Sequence, residues 1–205
     1  MNKTRIESIS DGVFAFVMTL LILNIHVPTV TNVSDTTLWH LLGAQWPSFV
    51  SYAMSFLVLA VFWINHQFLF LTYVKTVDRW LNLLNMIYLM FLVFVPFSVN
   101  LLGTFLHNHA AVIIYGANIL ALMLLTIAMF AYTRRNTEVG ADVSRRLRLQ
   151  AGTRMTLTLV CYLLGLLVSF VSLPAAIFLY VFPMVFNFIP GTLNIIERFV
   201  FGKRV

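Results

Sequence analysis

The chain has 205 residues, of which 60% are hydrophobic and only 10% are charged. Soluble domains carry roughly 25% charged residues, so this composition excludes a soluble globular protein and indicates an integral membrane protein. The net charge of +6 at pH 7 does not indicate nucleic-acid binding, because the basic residues lie in short segments between apolar stretches. Cys161 is the single cysteine, which excludes a disulfide or a cysteine metal site within one chain.

Stretches without charge predict six transmembrane helices, at about 20 residues per span. Residues 155–196 are long enough to cross twice, with a turn at Ser172-Leu173-Pro174. The predicted helices cover residues 8–26, 47–70, 80–102, 110–132, 155–171 and 175–195. The first is expected to be retained and not cleaved as a signal peptide, because Glu7 and Asp11 interrupt the signal-peptide pattern. The predicted fold is all-α, a single six-helix domain over residues 1–205.

The distribution of basic residues predicts the orientation of these helices. All 13 Lys and Arg residues fall on one side of the six-helix layout, and the three loops on the other side carry none. Cytoplasmic loops are enriched in Lys and Arg, so both termini are expected in the cytoplasm. The basic connector 133–154 is expected to be a solvated segment that sets topology, with contact to anionic lipid as the alternative.

The first helix carries a stripe of mixed character. On an α-helix Gly12, Phe16, Thr19 and Leu23 fall within about 60° of one another, with Leu20 on the flank. This stripe is either a packing face or the wall of a pore. In a pore, apolar rings gate by dewetting, and a threonine ring offers oxygens to a partly dehydrated ion. The periodicity alone does not decide between the two.

Charged and hydroxyl side chains lie at the N-terminal end of the same helix. A lone charge at membrane depth costs several kcal/mol, roughly 2.5–3.5 on insertion scales. Arg5 and Asp11 are about 240° apart on a helix, so they cannot pair well within it. Each is expected to need a partner from another helix or subunit. Ser8 and Ser10 are expected either to cap the helix or to join a polar network.

Polar residues on the second and third helices lie at the same predicted depth. Asn65 and His66 are predicted partners for the charges of the first helix. A lone histidine such as His66 is more typical of a hydrogen-bonded structural residue than of a metal ligand. Asn82 and Asn85 share one face of the third helix, where they either join this network or bond one helix to another.

The sequence does not indicate an enzyme. It lacks the H-E-x-x-H, G-x-S-x-G and P-loop patterns, and it has no paired carboxylates at membrane depth. It also lacks the potassium-filter pattern T-V-G-Y-G, so any ion selectivity would come from side chains. No cofactor and no resident metal site are predicted.

The opening motif resembles the R-x-x-x-F-S-D motif on the first helix of the transmembrane protein 175 family, the endolysosomal potassium channels and their prokaryotic relatives. The similar segments of this chain are Arg5-x-x-x-Ile9-Ser10-Asp11-Gly12, Trp63-x-x-His66 and Pro96-Phe97-Ser98. The resemblance is strong over the first three helices, and the six-helix length and orientation extend it to the whole chain. Two positions depart from the family pattern, since Ile9 replaces a phenylalanine and Phe16 replaces an isoleucine or leucine.

The resemblance implies a homotetrameric prokaryotic cation channel of the plasma membrane, with four first helices around a central pore. It implies K+ as the permeant ion, with modest preference over Na+, and membrane lipids as the other partners. Hydrophobic rings would fall at Phe16, Leu20 and Leu23, and Thr19 would form a hydroxyl layer that a K+ ion passes. A structural polar network would hold the first helix, and its expected members are Arg5, Ser10, Asp11, Trp63, Asn65, His66 and Asn85.

Two other functions remain open from the residues. A secondary transporter or proton pathway would use Asp11 and His66 as a proton relay, but the sequence shows no inverted repeat of the kind transporters often carry. A membrane-embedded structural or enzyme subunit is disfavoured, because no catalytic constellation is present.

Overall fold

A computed structural model of the chain describes residues 2–26, 29–30, 34–105, 107–136 and 138–188. Over these ranges the protein is helical and contains no strand, so the all-α prediction is confirmed there. The helices in chain order are α1 Lys3–Leu20, a 3₁₀ turn Leu21–Asn24, α2 Asp35–Ala44, α3 Trp46–Tyr73, α4 Arg79–Val93, α5 Val95–Thr104, α6 His109–Arg135, α7 Arg145–Val168 and α8 Leu173–Phe188.

Five segments of the described chain are long and apolar enough to cross a membrane. They are Lys3–Leu23, Trp46–Tyr73, Arg79–Thr104, His109–Arg135 and Arg145–Val168. Helix α8 is apolar but shorter, with its apolar part at Leu173–Pro183. A sixth crossing and the cytoplasmic termini therefore stay predictions. The predicted end of the sixth helix at 189–195 and the last basic cluster lie outside the described residues.

Two helices begin earlier than predicted. Helix α1 starts at Lys3, before the expected residue 8, and the Lys3 ammonium lies 3.6 Å from the Glu7 carboxylate one turn later. Helix α7 starts at Arg145, before the expected residue 155, because the Ser144 hydroxyl caps it by accepting from the Leu147 amide. The second half of the basic connector is thus the first part of a membrane-length helix.

The structure also divides and adds helices. The third predicted helix is two segments, α4 and α5, which meet at Phe94. Pro96 at the start of α5 has no amide hydrogen to continue the α4 ladder, which accounts for the break. Helix α2 lies in what the sequence predicts as an outer loop, and the Ser34 hydroxyl caps it by accepting from the Thr37 amide.

One side of α1 packs against the rest of the chain. Its buried residues are spaced by three and four, as one face of a helix requires, and they are Ile6, Ser10, Phe14 and Val17, continued by Leu21 in the 3₁₀ turn. This face contacts α3, α4 and α5. Fixing one face inward leaves the opposite face of α1 uncovered by its own chain.

The loop after α3 and the loop before α7 are joined by main-chain hydrogen bonds, close to the N-terminal end of α1. Val74, after α3, forms an antiparallel bridge with Gly140, before α7. The Lys75 amide donates to the Val139 carbonyl at 2.7 Å, and the Lys3 ammonium donates to the Val74 carbonyl at 2.9 Å. The loop pair therefore fixes the N-terminal end of α1 relative to α3 and α7.

Helix α6 is the central helix of the described bundle. Of the 18 most apolar consecutive residues of α6, 56% are buried, whereas the corresponding share in the other four long segments is 28–33%. Tyr180 of α8 lies between α6 and α7 at two glycines. A Cβ at Gly116 would lie 1.9 Å from the Tyr180 Oη, and one at Gly165 would lie 2.6 Å from the Tyr180 Cε1. The close approach of α8 to α6 and α7 therefore requires glycine at both positions.

We expect Gly116→Ala to destabilise the protein by about 1–3 kcal/mol, because the added methyl group overpacks the Tyr180 contact. The measurement is thermal unfolding in detergent, monitored as the loss of the monodisperse peak in size-exclusion chromatography. The matched control is Gly152→Ala in α7, where a Cβ meets nothing within 4 Å. That control is expected to leave stability unchanged or raise it by up to about 1 kcal/mol. Equal effects of both substitutions would contradict this packing account.

Candidate functional site

Three buried polar residues join α1, α3 and α4, and we call them the polar ladder: Ser10, Asn85 and His66. The Asn85 Nδ2 donates to the Ser10 Oγ at 3.0 Å, and the Ser10 hydroxyl donates to the Ile6 carbonyl at 2.9 Å. The His66 Nε2 lies 2.8 Å from the Asn85 Oδ1. Since an amide oxygen only accepts, the hydrogen bond requires a proton on the His66 Nε2. All hydrogen bonds of the polar ladder therefore run in one direction.

Aromatic rings surround the His66 end of the polar ladder. The ring centroid of Phe70 lies 4.6 Å away and that of Tyr88 5.4 Å away, both stacked on the imidazole. Phe14 of α1 approaches at 5.6 Å in a tilted arrangement. His66 is 3% exposed and Asn85 is fully buried. The rings exclude water, so the hydrogen bond from His66 to Asn85 lies in a medium where losing it is costly.

A second polar group, the Asp11 cluster, consists of Asp11, Trp63 and Gln67. The Trp63 Nε1 donates to the Asp11 Oδ1 at 3.0 Å, and the Gln67 Nε2 donates to the same oxygen at 3.2 Å. Asp11 is half-buried, and these two donors from α3 supply the partners that a carboxylate at membrane depth requires. The sequence reasoning missed Gln67, although it lies one helical turn after Trp63 and so shares its face.

Two predicted members of the network lie elsewhere. The Arg5 side chain is exposed, and the described residues show no ion pair between Arg5 and Asp11. Asn65 lines a cavity of about 60 Å³ between α3, α6 and α7, together with Arg154 of α7. Asn65 comes one residue before His66, so its side chain is turned about 100° from that of His66.

The predicted stripe of α1 lies on the face that its own chain leaves uncovered. Phe16 is 61% exposed and Leu23 is 68% exposed. Gly12 and Thr19 are also exposed, and a Cβ at Gly12 would meet nothing within 4 Å. We call these four residues the outer face of α1. Ser10 of the polar ladder lies on the packed side of α1, opposite the outer face, and the half-buried Asp11 lies on the flank, about 100° from Gly12. The two kinds of predicted site residue therefore occupy different sides of one helix.

The end of the outer face differs from an ideal helix. After Leu20 the chain continues as a 3₁₀ turn, in which side chains three residues apart eclipse. Leu23 is therefore brought toward the azimuth of Leu20, which is half-buried. Thr19, one residue earlier, uses its hydroxyl hydrogen on the Phe16 carbonyl at 2.7 Å. The lone pairs of the Thr19 oxygen are left for an outside partner.

Comparison with known proteins decides the family. The family model described as endosomal/lysosomal potassium channel TMEM175 matches residues 5–96. A potassium channel of Streptomyces collinus is 38% identical over 184 residues, which cover 85% of this chain and 86% of that relative. The chain belongs to the TMEM175 family. The matched residues include the outer face of α1, the polar ladder and the Asp11 cluster.

Other members of the TMEM175 family extend the comparison to structure. A crystal structure of a lysosomal potassium-selective channel TMEM175 homolog from Chamaesiphon minutus covers 90% of this chain and 95% of its own, with a TM-score of 0.78 and 28% identity. The potassium channel of Chamaesiphon minutus is 39% identical over 61% of this chain and 60% of that relative. The human endosomal/lysosomal proton channel TMEM175 is 38% identical over 104 residues, which are 20% of its length. These relatives are channels and not enzymes.

We expect Asp11→Ala to lower the stability of the protein by about 1–3 kcal/mol, because Trp63 and Gln67 lose the acceptor of their hydrogen bonds. Thermal unfolding of the purified protein and its oligomeric state on size-exclusion chromatography measure this effect.

The matched control is Asp11→Asn, whose amide oxygen still accepts from both Trp63 and Gln67. We expect it to retain most of the stability that Asp11→Ala loses. If Asp11→Ala unfolds at the wild-type temperature and assembles normally, the Asp11 cluster does not brace α1.

Proposed function

We propose that this protein is a potassium-permeable cation channel of the plasma membrane. Four copies of one six-helix domain, with both termini cytoplasmic, would surround a central pore that the α1 helices line. Membership of the TMEM175 family supports the proposal, as do the bacterial relatives named potassium channels. K+ is the permeant ion, other monovalent cations are weaker partners, and no cofactor takes part.

The exposure of the outer face of α1 is the observation that carries this proposal. Its residues are exposed in the isolated chain, while the other side of the helix is held by hydrogen bonds to α3 and α4. A pore would offer water or ions to the lone pairs of the Thr19 oxygen, whereas hydrocarbon offers them no partner. Four such faces brought together would form a wall that alternates small, aromatic, hydroxyl and aliphatic layers along the ion path.

The chemistry of Thr19 suits a passing cation. Its hydroxyl hydrogen is directed to the Phe16 carbonyl, so a ring of four Thr19 oxygens would present lone pairs to the pore axis. Oxygens in a ring replace part of the hydration shell of an ion, and weak replacement lets the ion leave again. This arrangement supports permeation with modest preference for K+.

The apolar residues on either side of Thr19 would form the constriction. Phe16 precedes Thr19 along the helix. Leu20 and Leu23 follow Thr19, and these two leucines lie at nearly the same azimuth as each other. Rings of large apolar side chains gate by dewetting, because water leaves a narrow apolar passage. Four phenyl rings at Phe16 are bulkier than the isoleucine or leucine expected there, so ions would pass only where these rings tilt away from the pore axis. The rings at Leu20 and Leu23 would then set the width of the passage.

A proton pathway is the second candidate, because the animal relatives are named proton channels. In the described residues, however, Asp11 and His66 belong to separate hydrogen-bonded groups. The polar ladder from His66 ends on the Ile6 carbonyl, and it passes through the amide of Asn85, which does not titrate. This arrangement does not support a relay between Asp11 and His66.

We expect Leu23→Ala to raise single-channel conductance severalfold, because removing an apolar ring widens and wets the constriction. The measurement is recording of the purified protein in lipid bilayers under a K+/Na+ gradient. The matched control is Leu167→Ala in α7, a leucine of similar exposure at 65% on a helix remote from α1. Unchanged currents for Leu23→Ala would reject this lining, and transport without channel events would reject the channel itself.

We expect Thr19→Val, which keeps the size of the side chain and removes its oxygen, to shift the K+/Na+ permeability ratio toward one. Reversal potentials under bi-ionic conditions measure that ratio. Thr19→Ser retains the hydroxyl and is expected to retain the preference. A permeability ratio that stays at the wild-type value in Thr19→Val would show that Thr19 does not contact the ion.

A further inference from the structure

Three arginines lie together where α6 ends and α7 begins. Arg134 at the end of α6 and Arg145 and Arg148 at the start of α7 line a concavity of about 460 Å³ together with Val143 and Leu149. That space is many times the ~30 Å³ that a water molecule occupies in the liquid. We call it the basic concavity. Its five lining residues come from two helices and their connecting loop, so the fold brings them together.

The positive charge of the basic concavity is poorly compensated within the described chain. Asp142 lies 3.4 Å from the Arg148 guanidinium, and its side chain is fully exposed. The first turn of α7 contains no acidic residue, although the positive end of a helix dipole disfavours arginine there. Arg134 is held in place by packing over the Phe130 ring, with its Cζ at 5.8 Å from the ring centroid. An anion with several oxygens would offset this charge.

Apolar residues beside the basic concavity indicate that the anion carries acyl chains. Leu147 is 41% exposed and Leu149 is 55% exposed, and both alternate with arginines at the start of a membrane-length helix. Arginine beside exposed leucine is typical of a segment at the membrane surface, where the leucine contacts acyl chains and the arginine contacts headgroups. A soluble anion such as free phosphate would leave these leucines in water.

We propose that the basic concavity binds the phosphate of an anionic phospholipid from the leaflet on this side of the membrane. Arg134, Arg145 and Arg148 donate to the phosphate oxygens, and the acyl chains lie against Leu149. Planar guanidinium groups suit such an oxyanion because they donate in pairs. The site does not depend on ion conduction, so its test and the test of the channel can fail separately.

The test is native mass spectrometry of the detergent-solubilised protein titrated with phosphatidylglycerol, with phosphatidylcholine of the same chains as the neutral comparison. We expect phosphatidylglycerol to bind more tightly. Each of Arg134→Gln, Arg145→Gln and Arg148→Gln is expected to weaken its binding about fivefold. Arg148→Lys keeps the charge but loses the paired donors, so it is expected to weaken binding less than Arg148→Gln does. Asp142→Asn removes the competing carboxylate and is expected to tighten binding.

The control is Arg79→Gln, which removes the same charge from an exposed arginine that does not line the basic concavity. We expect it to leave phosphatidylglycerol binding nearly unchanged. The proposal is overturned if Arg79→Gln weakens binding as much as Arg148→Gln, since charge alone would then account for it. It is also overturned if equimolar inorganic phosphate displaces the lipid, because the site would then take a free anion.

Discussion

The need to satisfy polar groups inside a membrane determines how α1 lies in this protein. Ser10, Asn85 and His66 are buried, and hydrocarbon offers them no water to bond. Their hydrogen bonds run in one direction, and the one from Asn85 to Ser10 ties α1 to α4, so rotating α1 would break that bond. The Asp11 cluster adds two donors from α3 on the adjoining flank of α1. Together they fix the rotation of α1 about its own axis.

A fixed rotation gives the two sides of α1 different roles. The packed side carries polar residues that bond to α3 and α4, and the outer face carries Phe16 and Thr19 with open surface around them. The paired loops at Val74 and Gly140 hold the N-terminal end of the same helix through Lys3. In the channel that we propose, one side of α1 packs against its own chain and the other side lines the pore. The charge of Asp11 therefore need not lie in the pore.

The sequence predicts some of these features better than others. Apolar length predicts the long helices, and the spacing of Gly12, Phe16 and Thr19 predicts that they share a face. Depth along the membrane predicts that Asp11 has partners on α3, but not which ones. It selected Asn65, which lines a cavity between α3, α6 and α7, and missed Gln67, because depth carries no information on the rotation of α3. The 3₁₀ turn after Leu20 and the short helix α2 leave no signal in hydropathy.

The most direct test is the reactivity of single cysteines on the two sides of α1, in a Cys161→Ser background. A water-soluble, cationic thiol reagent applied during bilayer recording measures which side meets water. We predict that Thr19→Cys reacts and that its current is blocked, while Val17→Cys on the packed side does not react. If Thr19→Cys is inert to this reagent and reacts only with a lipid-soluble one, the outer face of α1 faces lipid, and the account is contradicted.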